Sequence, residues 1–491
     1  MPVSTLLSNY VAGEWTAPAS GQAVEIREPA RAAKVLWRAP VSDAAEVAAA
    51  IDAAAAAFGE WRHASVALRS GMLHAAAAHL EARTEQVATD VALEQGKTLA
   101  EARREVASAI LSLRYFAGQA LEPIGELLPL ASGNGRIWAE RVPVGPTVCI
   151  TPWNFPLLIP TYKLAPALAF GNTVVLKPAA LTPRSANHLI EALVAGGAPA
   201  GVVNICHAPG GEVASALGRS APVRAVSFTG SNAVGLELRR LLVERDVRLQ
   251  LEMGGKNAML VLDDADIDAA AEIAVEGAMG MAGQKCTATS RVIVEAGVAG
   301  RFLELLRERI ASVTVGHPLD DDVRMGPLIS AEQRDKVLAA IDAGEAAGAR
   351  LVSGGSLSGA AFAEGHYVAP TVFADVDPAL PLAQEEIFGP VLAVIEAESD
   401  EHAVSIANGS RFGLTAAVCT NSLPRALQAI DRLDVGVVQI NRPTSAIERQ
   451  APFGGTKHSG HGGREQGRAA REFYTEWKTV YLSADLDGGR A

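Results

Sequence analysis

Cysteine is scarce in this chain. There are 4 in 491 residues, Cys149, Cys206, Cys286 and Cys419, and none shares a CxxC spacing. A disulfide framework is not expected in a chain of this size, and no metal-ligand pattern is present. Long apolar runs are missing as well. No window reaches the roughly 18 uninterrupted apolar residues of a membrane-spanning helix. The first stretch, "MPVSTLLSNYVAGEW", has no basic segment followed by an apolar one. No secretory signal is read there, and the expectation is a cytoplasmic protein that does not engage a membrane. Positive charge is in deficit: 43 Lys and Arg face 55 Asp and Glu, a formal net charge of −12. That balance speaks against a general nucleic-acid surface or an anionic membrane surface. A small phosphate-bearing ligand stays admissible, because it needs only one local cradle.

What is present reads as soluble and globular, with 49% hydrophobic and 20% charged residues. The length implies two or three domains. Residues 43 to 118 carry apolar positions three and four apart and predict helices. Strand-like and helix-like runs then alternate: "NTVVLKP", "PRSANHLIEALVAGG", "GVVNICH", "GGEVASALGRS", "VRAVSFTGS", "NAVGLELRRLLVE". A second alternation starts near "RLQLEMGGKNAMLVL", so the joint is placed near Gly254 and Gly255. Repeated βα units imply parallel sheets, with ligands at the C-terminal ends of their strands. No fixed-period repeat or low-complexity linker is found, and "DLDGGRA" at the end reads as a loose tail.

Four stretches carry chemistry. Cys149, Cys206 and Cys419 lie in or at the end of apolar strand-like runs and read as small buried hydrophobes. Cys286, in "MAGQKCTATSR", has a polar, small-residue flank, the open setting that a reactive thiolate needs. In "LEMGGK", Glu252 precedes two glycines at the expected domain joint. It reads either as a surface carboxylate or as a general base on a mobile joint. In "TPWNFP", Asn154 sits between Trp153 and Phe155, either in a packed aromatic turn or as an amide aimed at a developing oxyanion. "SFTGSNAVG" places Gly230 and Ser231 at a strand end and Gly235 one turn into a helix, a start that can face a pyrophosphate. It is not G-x-G-x-x-G, and taken alone it reads better as a plain strand–turn–helix joint.

"PWNFP", "LEMGGKN", "GQKCTATSR", "QEEIFGPV" and "APFGGTKHSG" occur in the order and spacing of the aldehyde dehydrogenase superfamily, which the chain resembles from "NYVAGEW" to "EWKTVY". It looks closest to the bacterial 2-oxoglutarate semialdehyde dehydrogenase branch. The resemblance implies two Rossmann-like α/β domains and a small β oligomerisation element. Residues 1–122 and 142–253 would bind cofactor, 254–471 would carry catalysis, and 123–141 with 472–491 would join copies into a homodimer or homotetramer. It implies NAD or NADP as cofactor, a small-molecule aldehyde as substrate and no metal. Cys286 would be the nucleophile, Asn154 an oxyanion donor and Glu252 the base for thioester hydrolysis. Lys163 and Glu465 would relay protons from Glu252. Lys177 would bind the adenosine ribose, Ser231 the pyrophosphate, and Glu386 and Phe388 the nicotinamide ribose and ring, with Trp153 nearby.

Two departures from the family pattern matter. A glutamate often found three residues after the lysine is Ala180 here, which removes a carboxylate that would repel a 2′-phosphate. The arginines that pair with a substrate carboxylate in succinate semialdehyde dehydrogenases are replaced by Tyr162 and Gly280. Leu158, Met279, Met281 and Ile447 add apolar surface. An oxo-acid substrate would then need Arg442 or Arg449 from "INRPTSAIERQ", each of which reads equally well as a solvated charge. An apolar pocket for aromatic or aliphatic aldehydes is the alternative. An acylating relative and a non-enzymatic structural protein are less consistent with an intact Cys286, Glu252 and Asn154.

Overall fold

The computed structural model describes residues 5–131, 135–219, 222–357 and 359–483. The expected loose tail, 485–491, lies outside the described residues, as do parts of the segments assigned to oligomerisation.

The helical stretch after residue 43 is four helices, Ala44–Trp61, Val66–Ala82, Thr84–Gln95 and Leu99–Gln119. Their starts are written locally. Asp43 with Glu46, and Thr98 with Glu101, each form a reciprocal capping box that satisfies N–H groups the first turn leaves unpaired. The helices pack their Ala-, Leu- and Val-rich faces against the first sheet, with Leu73, Val91, Leu113 and Phe116 buried.

In that sheet five strands run parallel, in the spatial order Val203–Ile205, Val174–Lys177, Thr147–Ile150, Ala225–Thr229, Arg248–Glu252. The chain fills one side of Thr147–Ile150 first and then crosses to the other. The order therefore reverses between Thr147–Ile150 and Ala225–Thr229. Such a switch point opens a crevice at the carboxyl ends of the two strands, because their following segments leave in opposite directions. Here those segments carry Trp153 and Asn154 on one side, and Gly230 and Ser231 on the other.

Between Glu252 and Ala258 the chain passes into a second sheet. There the strand Ala258–Val261 is flanked by Arg291–Glu295 and Thr415–Cys419, all parallel. These strands are buried on both faces and read as apolar runs, as a sheet covered by helices requires. Two residues, Gly460–His461, return to the first sheet and pair antiparallel with Leu251 and Glu252. A third, antiparallel sheet joins Gly125–Leu128, Gly135–Pro143 and Thr475–Ser483.

Some elements have no counterpart in the sequence reading. The N-terminal hairpins Asn9–Val11/Glu14–Thr16 and Ala23–Glu28/Arg31–Pro40 are short, partly exposed and weakly alternating. The helix Ala331–Ala346 buries only Val337, Ile341 and Gly344, a stripe too thin to stand out.

Candidate active site

The crevice is the start of a cleft of about 810 Å³ that runs from Lys177 and Ala180, past Gly230 and Ser231, to Asn154, Cys286, Glu386 and Phe388. Each end is built from short-range geometry.

Cys286 is delivered by an unusual turn. Met281, Ala282 and Gly283 have φ of 54°, 52° and 68°, three successive left-handed residues. A Cβ at position 283 would lie 2.1 Å from the Gly389 carbonyl, so the turn can press against the "FGP" segment only as glycine. Gln284 locks the turn: its amide accepts from Ile329 N–H at 3.0 Å and donates to Met281 O at 3.1 Å. Asn257 donates to the carbonyls of Cys286 and Ala288 at 2.7 and 2.8 Å. Cys286 alone of the four cysteines is partly exposed. Burial and the Glu386, Glu252 and Glu465 carboxylates push its thiol up to about 12.

Asn154 is buried. Its amide donates one hydrogen bond to Gln284 O at 3.0 Å, two residues before Cys286, while its Oδ1 has no partner. The second amide N–H remains for a ligand. The backbone of Asn154 is gripped from behind by Lys97, which also pairs with Glu105 at 2.5 Å. Glu252, at the end of its strand, is buried and its Oε2 has no hydrogen-bond partner. Desolvation, reinforced by the Glu465 charge, raises its carboxyl well above the usual range. Lys163 lies under the site, fully buried, donating to Glu465 and to Ser227 Oγ at 2.9 Å.

At the cofactor end Lys177, half-buried, and Ala180, exposed, both face the cleft. Ser231 is the N-cap of helix Asn232–Leu242, whose free N–H groups point toward the cleft mouth. Trp153 and Phe388 form an edge-to-face pair with centroids 5.2 Å apart. The Glu386 carboxylate fills the space where position 254 would carry a Cβ, at 2.0 Å from Oε2, and accepts from Gly255 N–H at 3.2 Å. Burial pushes Glu386 up to about 7. A long cleft with a helix start midway, a lysine at one end and paired aromatic rings at the other fits a dinucleotide.

At the other end, Leu158 and Tyr162 stand half-buried on helix Leu158–Ala169. Burial pushes the Tyr162 phenol up to about 12, and the nearby Arg449 charge opposes it. Arg449 and Ile447 are half-buried on the same loop, and Arg449 Nε is buried without a partner.

Several expected site residues stand elsewhere. Gly235 does not face the cleft; a Cβ there would meet Met253 Sδ at 2.5 Å, so its part is to let the helix close on the strand end. Arg442 turns outward and pairs with Glu448 at 3.6 Å, both side chains about half exposed. Met279 packs into the core of the second domain rather than a pocket. Gly280 is bare, and the space beyond it holds the Lys285 ammonium, 2.9 Å from where a Cβ would be.

The sequence reading missed Lys97, Glu105, Asn257, Lys256 and Lys285. Lys256 is buried with no partner for its Nζ, and burial with the Arg291 charge brings it down to about 7. Asn257, Lys256 and Lys285 lie inside quoted motifs, and a basic residue next to a nucleophile was the available signal. Lys97 and Glu105, eight residues apart, offered none.

The aldehyde dehydrogenase family profile matches residues 15–480. The chain is 43% identical to an alpha-ketoglutaric semialdehyde dehydrogenase of Bacillus subtilis, over 96% of this chain and 97% of that one. It is 41% identical to an alpha-ketoglutarate semialdehyde dehydrogenase of Haloferax volcanii, over 97% and 98%. The crystal structure of an NAD-dependent aldehyde dehydrogenase from Sinorhizobium meliloti superimposes with a TM-score of 0.96 at 35% identity, covering 99% of this chain and 96% of that one. With a match this long, and with the crevice, the cysteine turn and the amide beside it already in place, the chain belongs to the aldehyde dehydrogenase family.

Proposed function

We propose that the protein oxidises a short oxo-acid semialdehyde, such as 2-oxoglutarate semialdehyde, to the free acid, using Cys286 as nucleophile and NAD or NADP as oxidant. The observation that carries this reading is the convergence of the Cys286 thiol and the Asn154 amide on one end of a dinucleotide-sized cleft, with the buried Glu252 carboxyl, whose Oε2 has no partner, acting on the thiol from nearby.

The thiolate of Cys286 adds to the aldehyde carbon. The oxyanion accepts from the free Asn154 amide N–H and from the backbone N–H of Cys286, and each such donor is worth about 3 kcal/mol of barrier. A bound nicotinamide dinucleotide supplies the hydride acceptor. Lys177, Ser231 and Glu386 would hold it, with Trp153 and Phe388 flanking the reacting end. The resulting thioester is hydrolysed by a water from which Glu252 takes a proton. Lys163 and Glu465, buried alongside, carry that proton away. A base kept for water favours hydrolysis over transfer to coenzyme A or phosphate. Ala180 puts no carboxylate at that position of the cleft wall, so a 2′-hydroxyl and a 2′-phosphate are both accommodated there.

The outward turn of Arg442 and the unpartnered Nε of Arg449 make Arg449 the loop cation available to an anionic substrate. Free thiols suit a reducing compartment, which supports a cytoplasmic protein. The exposed Leu127, Trp477, Tyr481 and Leu482 on the antiparallel ribbon support a homodimer or homotetramer built on that sheet.

A panel of oxo-acid, aliphatic and aromatic aldehydes, each with NAD and NADP, tests the reading. Free acid as product and highest kcat/KM for the oxo acid are expected. An acyl-CoA product, or no oxidation of any aldehyde, would refute it.

A further inference from the structure

A second positive charge sits closer to the nucleophile than Arg449, on a residue with no assigned part. Lys285 directly precedes Cys286, yet its side chain folds back toward Gly280. The missing side chain at 280 is what makes room for it. Its ammonium has one hydrogen bond among the described residues, to Ser445 Oγ at 3.3 Å. An ammonium has three donors, so two are unused.

Its charged surroundings are Glu101, Glu276, Arg104 and the Cys286 thiol. Among the described residues no carboxylate comes within ion-pair distance of it. Glu101, the nearest of the acids to the 280 position, is committed elsewhere: Oε1 accepts from Met281 N–H at 2.8 Å, and Oε2 accepts from the Thr98 N–H and hydroxyl at 2.9 and 3.0 Å. Burial lowers the pKa of Lys285 against the pull of those acids. A half-buried ammonium with two unused donors and no carboxylate at ion-pair distance is open to receive a negative charge.

We propose that Lys285, with the Ser445 hydroxyl, is the receptor for the carboxylate of the substrate, and that it replaces the arginines absent at positions 162 and 280. The inference rests on the oxo-acid reading above. Reach agrees with it. A five-carbon chain with bonds of about 1.5 Å spans roughly 5 Å from aldehyde carbon to carboxylate carbon. A lysine side chain spans roughly 6 Å from Cα to Nζ by the same bond lengths. An aldehyde carbon on the Cys286 sulfur therefore leaves the far carboxylate within reach of the neighbouring ammonium. Ser445 accepts from Lys285 and keeps its own O–H to donate to the carboxylate or to an adjacent keto oxygen. Arg449, four residues along the same loop, adds a positive field from the Tyr162 side.

The test compares kcat/KM for 2-oxoglutarate semialdehyde and for pentanal in the parent, Lys285→Met, Lys285→Arg and Ser445→Ala, with thermal melts to verify folding. For Lys285→Met the oxo-acid to pentanal ratio should fall by about 30-fold or more, mainly through KM. Lys285→Arg should recover most of the ratio, and Ser445→Ala should lose part of it. A Lys285→Met variant that loses the same factor on both aldehydes would overturn the proposal, because a lysine that only activates the thiol or supports the turn acts on both alike. A parent enzyme with no preference for the oxo acid would instead overturn the substrate reading, and this inference with it.

Discussion

The ammonium of Lys97 donates to the backbone carbonyl of Asn154 at 2.7 Å. It is held there by Glu105, whose other oxygen accepts from the N–H groups of Leu157 and Leu158 at 2.9 and 3.0 Å. One buried ion pair thus fixes both ends of the turn that carries the Asn154 amide, and the Phe155 ring closes over the cation at 4.4 Å. Lys97→Met should leave Glu105 buried and unpaired, at a cost of about 3–5 kcal/mol in stability. The double variant Lys97→Met/Glu105→Gln should recover much of that loss. It should not recover kcat, which is expected to stay about 10²-fold down because the amide is no longer positioned. Melting curves beside kcat check this. A double variant with full kcat would mean that the pair serves stability alone.

Cys286→Ala should abolish aldehyde oxidation while leaving fold and cofactor affinity in place. The side chain is partly exposed and packs no core, so its removal opens no sealed cavity. Reduced-cofactor formation, with a cofactor titration as control, measures it. Activity above a tenth of the parent would refute the assignment.

Glu252→Gln should stop the reaction at the thioester, giving a burst of reduced cofactor followed by near-zero turnover. The pH dependence has a definite sign. The carboxyl is raised well above the usual range by burial and by the Glu465 charge, so its base form grows as pH rises. Steady-state turnover of the parent should therefore climb with pH above the usual carboxylate range. A slow residual turnover in Glu252→Gln should lack that limb. An unchanged limb would assign the titration to another group.

Ala180→Glu should shift preference toward NAD. Position 180 is exposed on the cleft wall, so the new carboxylate reaches the adenosine end without burial. It can accept from a 2′-hydroxyl but would repel a 2′-phosphate carrying about −1.5 to −2 charge. The change should appear as a raised KM for NADP. A constant ratio of kcat/KM for the two cofactors would show that the residue does not face the ribose.

The sequence by itself determined the family and the fold class. A polar-flanked cysteine, a glutamate before two glycines and an asparagine in a Pro-bounded turn are short motifs, and the βα alternation is a local periodicity. Both are written within a few residues, and their order along the chain carried the family resemblance. The N-terminal hairpins escaped because their strands are short and half-exposed, and a pairing between weak segments leaves little trace in either one. Only the tertiary structure decided which loop charges turn outward and which stay half-buried. Arg442 and Arg449 are equivalent on paper, yet Glu448 draws one outward and the packing near Tyr162 holds the other in. Gly235 looked like part of a phosphate loop and is a close-packing point against Met253. Gly280 and Lys285 are five residues apart, and a turn of left-handed residues sets one over the other. The direction of a side chain on an irregular loop depends on partners brought in from distant segments, and those contacts exist only once the two sheets and the loop between them have folded together.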